Sequence, residues 1–239
     1  MPFRLEHAGM TDVGVQRTHN EDSMLVDPEH RSFVICDGMG GHASGAVASQ
    51  LAVATIAETL RAGGAVGSEL LVQAILAANA AVFGRSRVDP QCHGMGTTVV
   101  GLRFDSDSVH VCHIGDSRIY VLRRGELLQL TRDHSLINLY ADNPDLVGKL
   151  GPAHSNIIVR AVGLHEQVEV EHRLFEIEDN DTYLLCSDGL IDMADDWMVR
   201  EMLTSGDDLQ TTVENLVRAA NTHGGADNVS VILVHALQV

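Results

Sequence analysis

The sequence predicts an α+β sandwich of sheets packed between helix layers. Three observations carry that expectation. Apolar strand-like segments come in runs, helical segments come in pairs, and strands and helices never alternate regularly as a doubly wound parallel sheet requires. With 239 residues, 45% of them hydrophobic and 21% charged, the chain can bury a sizeable core, and residues 1–239 read as a single domain.

The elements follow in order. A first β region is expected over residues 10–15 and a strand over 32–36, which runs into Asp37-Gly38-Met39-Gly40-Gly41. Apolar residues then recur at helical spacing over 43–61 and again over 68–84, with Gly63-Gly64 between, predicting two adjacent helices. Three β-branched runs, 97–104, 109–114 and 118–122, are separated by short polar or glycine turns and read as an antiparallel meander, with residues 123–126 as the next turn. Residues 131–163 mix Asp, Asn, Pro, Gly and His around a short helix at 136–140, and a surface flap is expected at about 136–163. Strands over 167–175 and 182–186, helices over 195–203 and 208–221, and a last strand over 228–236 complete the chain. Trp197, the only tryptophan, is expected to anchor a helix to the sheet.

Charge narrows the function. Sixteen Lys and Arg face 33 Asp and Glu, a formal net charge of -17, and no basic cluster could track a nucleic-acid backbone. Such an excess of carboxylate would also repel a phosphorylated substrate unless cations hold some of it. The apolar stretches near 70–83 and 229–237 fall short of the roughly 18 continuous apolar residues that cross a bilayer, so no membrane span is expected. The first ten residues lack a secretory pattern, and a cytoplasmic setting follows as the default. Cys36, Cys92, Cys112 and Cys186 show no Cys-x-x-Cys pairing and read as buried hydrophobes.

The chemical signal is a set of carboxylates where apolar strands stop. Asp37 follows the run 33–36, Asp116 follows 111–115, Asp188 follows 183–187, and Asp227 precedes the run 228–234, each with a glycine at or near it. An Asp-Gly pair alone is also an ordinary turn signal, so the weight rests on the set of four. Carboxylates crowded at buried strand ends raise one another's pKa unless a multivalent cation lies among them. An all-oxygen donor set favours Mg²⁺, Mn²⁺ or Ca²⁺ over zinc. Upstream, Arg17, His19 and Glu21 would share one face of an extended segment, and Arg suits bidentate capture of phosphate, although taken alone that segment is better read as a solvated charged turn with a surface ion pair.

Taken in order, Arg17-x-x-Asn20-Glu21-Asp22, Asp37-Gly38-Met39-Gly40-Gly41-His42, Gly94-Met95-Gly96-Thr97-Thr98, Gly115-Asp116-Ser117-Arg118, Thr131-x-Asp133-His134-Ser135, Ser187-Asp188-Gly189-Leu190 and Gly225-Ala226-Asp227-Asn228 resemble the metal-dependent protein Ser/Thr phosphatases of type 2C in their compact bacterial form. The match spans nearly the whole chain. The resemblance implies a four-layer αββα sandwich of two antiparallel sheets flanked by helix pairs. It also implies a centre of two Mn²⁺ or Mg²⁺ ions with a weaker third. By motif, Asp37 would bridge both ions, the Gly38 carbonyl and water-linked Glu21 would serve one, Asp188 and Asp227 the other, and Asp116 with Asp188 the third. Arg17 corresponds to the phosphate-binding arginine and Asp22 to a carboxylate that orients metal-bound water.

The mechanism implied is direct in-line attack on phosphorus by a hydroxide bridging two ions about 3.5–4 Å apart, while the metals and Arg17 neutralise developing charge. No phosphoenzyme and no thiolate nucleophile are expected. The implied partners are proteins phosphorylated on Ser or Thr and a cognate bacterial Ser/Thr kinase with its targets. Neither nucleic acid nor membrane is among them, and a monomer is expected. A non-catalytic phosphoprotein-binding module and a hydrolase of small phosphate esters are the alternatives. The chain departs from the family at Met39, where animal members carry a histidine, which leaves the general acid to His42 or water. It departs again at Ala46, where bacterial relatives often carry Glu, and through the flap. Asp133-His134-Ser135 is expected to fix the base of the flap by local hydrogen bonds.

Overall fold

A computed structural model describes residues 3–40, 44–63, 68–141 and 157–239. Two antiparallel sheets lie face to face. The first has the order β1 (Phe3–Asp12), β11 (Val229–Gln238), β10 (Asp181–Cys186), β7 (Arg118–Arg123), β8 (Glu126–Gln129). The second has the order β2 (Asp22–Asp27), β3 (Ser32–Met39), β5 (Val99–Phe104), β6 (Ser108–Ile114), β9 (Glu171–Glu176), with the short β4 (Gly96–Thr97) paired to the end of β3.

Side-chain alternation on the central strands makes the four layers. Phe33 and Ile35 of β3, Tyr183 and Leu185 of β10, and Ile232 and Val234 of β11 fill the space between the sheets. Their neighbours Val34 and Cys36 turn outward under helices α1 (Ser44–Ala62) and α2 (Ser68–Val88), against Ala52, Ile56, Leu71 and Ile75. On the opposite face Leu184, Cys186, Val231 and Leu233 meet Val199, Val213, Leu216 and Val217 from the C-terminal helices. Residues covered on both faces explain why these strands read as continuous apolar runs rather than alternating ones. The αββα arrangement matches the expectation.

Several elements differ from the sequence reading. β1 begins at Phe3 rather than residue 10, because it is an edge strand whose exposed Arg4 and Glu6 blur its apolar pattern. The sequence reading left β2 and β8 unassigned; β8 closes a hairpin through Arg124 and Gly125, both at positive φ, as a type I′ turn requires. β9 starts at Glu171 rather than residue 167. The meander is the main correction. β5 and β6 pair, but β7 joins β10 in the other sheet. The crossing occurs at Gly115, which has φ 107° and whose added Cβ would lie 2.6 Å from the Thr98 side chain. Strand order along the chain does not say which of two equally apolar sheets a strand will join.

The remaining helices are α3 (Leu136–Leu139), α4 (Asp188–Ile191), α5 (Asp196–Leu203) and α6 (Leu209–Thr222). Asp195 and Asp208 cap the last two by accepting from Met198 N and Thr211 N. Trp197 is 65% exposed and anchors nothing; Val199, buried on the same helix, holds α5 to the sheet. Most of the expected flap, residues 142–156, lies outside the described residues. All four cysteines are free and buried. Among the described residues no helix is long and apolar enough to cross a membrane.

The inter-sheet layer carries a prediction. Phe33 is fully buried and meets Phe104 edge-on at 5.9 Å between ring centroids. Phe33→Ala should lower unfolding free energy by about 3–5 kcal/mol in urea titration; a change below about 1 kcal/mol would contradict a tightly packed centre.

Candidate metal centre

The strand ends bring the acidic residues together at one end of the sandwich. Asp22, first residue of β2, stands opposite Asp37 near the end of β3. Asp188 opens α4 immediately after β10, and Asp227 lies two residues before β11, the neighbour of β10. Arg17 and Glu21 come from the loop between β1 and β2. Asn228 holds that loop by donating from Nδ2 to Val13 O (2.8 Å) and His19 O (2.9 Å) while its Oδ1 accepts from Glu21 N (2.8 Å).

Arg17, Glu21, Asp37, Gly38, Met39, Ile158, Asp188 and Asp227 line one cavity of about 280 Å³. Gly38 belongs there for a steric reason. A Cβ at this position would lie 2.1 Å from Gly45 O and 2.6 Å from Glu21 O, so only glycine lets α1 and the Glu21 loop close on the end of β3. Arg17 Nη2 donates to Asp227 Oδ2 at 2.5 Å, so the arginine and one acidic group neutralise each other at the mouth. Met39 lines the same wall, while His42 lies outside the described residues.

Asp22 lies behind this cavity. Its Oδ2 accepts from Ser187 Oγ (2.9 Å) and Ser230 Oγ (2.7 Å), and its Oδ1 is buried with no hydrogen-bond partner. Asp116 lies to the side. It lines a second cavity of about 220 Å³ that meets the first at Asp188, and its Oδ1 is likewise buried and without a partner. Of the eight residues given metal-binding or catalytic roles from the sequence, six thus converge on one cavity, one supports it from behind and one flanks it, and His19 does not line it. The two serines and Ile158 were not singled out. Ser187 was visible only as a neighbour of Asp188 in its motif, and nothing in the sequence marks Ile158.

The electrostatics is that of like charges confined together. Burial pushes Asp22 up to about 6, against the opposing pull of Ser230 and Ser187, with Asp227 adding to the rise. Burial followed by the nearby Asp22 and Asp188 charges holds Asp37 well above the usual carboxylate range. Asp188 rises to about 7 through burial, Asp116 and Asp227, and Asp116 to about 6 mainly through burial. Three buried carboxylate oxygens without partners, on Asp22, Asp116 and Asp188, make an oxygen-rich donor set that hard divalent cations fit.

A thiolate alternative fails on geometry. Cys112 and Arg118 do stand at Cys-x₅-Arg spacing, but Cys112 is fully buried and burial pushes its thiol up to about 12. Arg118 is engaged by Asp133 through Nε and Nη2 at 2.8–3.1 Å.

A model of the protein phosphatase 2C family matches residues 15–234. The serine/threonine protein phosphatase PstP of Mycobacterium tuberculosis is 37% identical over 238 residues, covering 96% of this chain, which spans only 44% of PstP. The serine/threonine phosphatase stp of Listeria monocytogenes is 35% identical over 234 residues, covering 94% of this chain and 93% of stp. A crystal structure of the PstP catalytic domain in complex with two manganese ions superposes with a TM-score of 0.87 at 35% identity, covering 98% of this chain and 99% of that one.

The raised carboxylates set a pH dependence for the metal-free protein. Their folded pKa values of about 6 to 7 exceed the ordinary value of 3.8, so the folded state holds more protons between those limits. Stability should therefore fall as pH rises from about 4 to about 7. Thermal unfolding in chelator should show Tm dropping across that range. Mn²⁺ should raise Tm more at pH 7.5 than at pH 5, where protons compete for the same oxygens.

Proposed function

The chain belongs to the protein phosphatase 2C family, and from that premise we propose that it hydrolyses phosphoserine and phosphothreonine in proteins with a pair of Mn²⁺ or Mg²⁺ ions as cofactor. The observation that carries this reading is the single cavity where Arg17 meets Asp37, Gly38, Asp188 and Asp227. Two divalent ions there supply charge neutralisation for the phosphoryl oxygens and lower the pKa of a water poised for in-line attack.

The chain's own residues take the remaining roles. In this reading Asp37 would serve both ions, the Gly38 carbonyl and Glu21 one of them, and Asp188 and Asp227 the other. Arg17 would be the phosphate anchor: with Asp227 engaged by a cation, its guanidinium would be free to donate to two phosphate oxygens. Asp22, held through Oδ2 by two serines, keeps Oδ1 as an acceptor that orients water from behind Asp37. Asp116 would serve a weaker third ion from the adjoining cavity. Met39 has no titratable proton to give, so the leaving-group alkoxide takes its proton from water or from His42.

Phosphoproteins are the substrate class, and a cognate Ser/Thr kinase and its targets are the partners this reading calls for. The same reading takes the chain to act as a monomer. Four buried free thiols favour the cytoplasm.

With a phosphothreonine peptide and Mn²⁺, Asp37→Asn and Asp227→Asn should each lower kcat by about 10²-fold or more, and Arg17→Ala should lower kcat/KM by about 10²-fold. Phosphate release at wild-type rates from either aspartate variant would refute the assignment.

A further inference from the structure

His134 stands where the loop that carries Asp116 meets the segment that reaches the metal cavity. Its backbone N–H donates to Gly115 O at 2.9 Å, and its ring Nδ1 accepts from Gly115 N at 3.1 Å, a reciprocal pair on the residue preceding Asp116. Its carbonyl accepts from Val159 N at 2.9 Å, and the adjoining Ser135 forms an antiparallel bridge with Ile158, whose side chain lines the cavity of Asp37, Asp188 and Asp227. One residue thus grips a neighbour of Asp116 with one set of bonds and a neighbour of Ile158 with another.

The ring is locked in one state. A backbone N–H can only donate, so Nδ1 is the acceptor and the proton is on Nε2, which faces Glu171 Oε2 at 3.4 Å. Burial, the stacked His113 ring and Arg160 push the imidazole down to about 4, so it is neutral at ordinary pH. Glu171 opposes this from β9, and Arg160 Nη1 lies 3.4 Å from Nε2.

A metal ion is not what these groups hold. Donor atoms of His113, His134 and Glu171 do lie within 4.8 Å of one another. The two rings, however, stack at 4.6 Å with only 14° between their planes, so no single ion can lie in both planes. His113 Nε2 is also already 2.9 Å from Arg132 O.

We propose that His134 is a positioning residue that fixes Asp116 and Ile158 on either side of Asp188, and so sets both the affinity of the weaker third ion and the fit of the phosphorylated side chain. The proposal rests on the metal reading above for its third-ion half and on the phosphatase reading for its substrate half. Loss of the imidazole releases Gly115 from its side-chain acceptor while Asp37, Asp188 and Asp227 keep their places.

His134→Ala and His134→Asn test it, because an asparagine Oδ1 occupies the place of Nδ1 and can accept from Gly115 N. Calorimetric titration of the full chain with Mn²⁺, without substrate, should show the weakest binding step loosened about tenfold in the alanine variant and the tighter steps unchanged. The asparagine variant should restore that step to within about twofold. KM for a phosphothreonine peptide should rise in the alanine variant more than kcat falls. An alanine variant that binds Mn²⁺ like the wild type overturns the proposal. So does uniform weakening of every step, or an asparagine variant of wild-type Tm that fails to restore the weak step. If the Mn²⁺ isotherms behave as expected but no protein releases phosphate from the peptide, the phosphatase reading falls and the positioning role stands.

Discussion

Burial of acidic groups crowded at one end of the sandwich, with their mutual repulsion added, is the constraint that the rest of the molecule answers. Two unit charges 4 Å apart repel by about 4 kcal/mol at the effective dielectric of a protein surface region. Here Asp22, Asp37, Asp116 and Asp188 all rise above the ordinary carboxylate range, with burial the leading cause in each. Among the described residues no lysine or arginine forms an ion pair with these four: Arg17 pairs with Asp227 and Arg118 with Asp133. A cation of higher charge is the economical counterpart, and it reconciles a chain of net charge -17 with an anionic substrate.

The fold exists to hold that arrangement against its own repulsion. Each acidic residue leaves a strand whose two faces are sealed, one by the partner sheet and one by a helix layer, so the end of the strand cannot drift without opening the core. Asp37 and Asp22 are fixed by the pairing of β2 with β3, and Asp188 by β10 between β7 and β11. Asn228 and the serines then hold the loops and the inner oxygens. The apolar layers determine where the polar end can be, and the polar end makes them useful.

Much of this was legible in the sequence, and the failures have physical causes. The carboxylates were visible because apolar runs stop abruptly at them, and a strand end is a local property. The choice between sheets was not, since residues 109–114 and 118–122 look alike and only the crossing at Gly115 separates them. Edge strands were hard to see: β1 and β8 expose charged or polar side chains that hide their period. Trp197 is exposed against expectation because hydrophobicity alone does not say which side of a helix a residue occupies. The contribution of His134 depends on contacts with residues 19 and 25 positions away along the chain, which no local pattern records.

Anomalous diffraction at the manganese edge, from crystals of the wild-type protein grown in Mn²⁺, tests the central claim most directly. The account predicts two strong peaks about 3.5–4 Å apart, with Asp37 between them and Asp188 and Asp227 on one of the two. A cavity without anomalous density at saturating Mn²⁺, or peaks confined to another cluster such as His113 and Glu171, would contradict it.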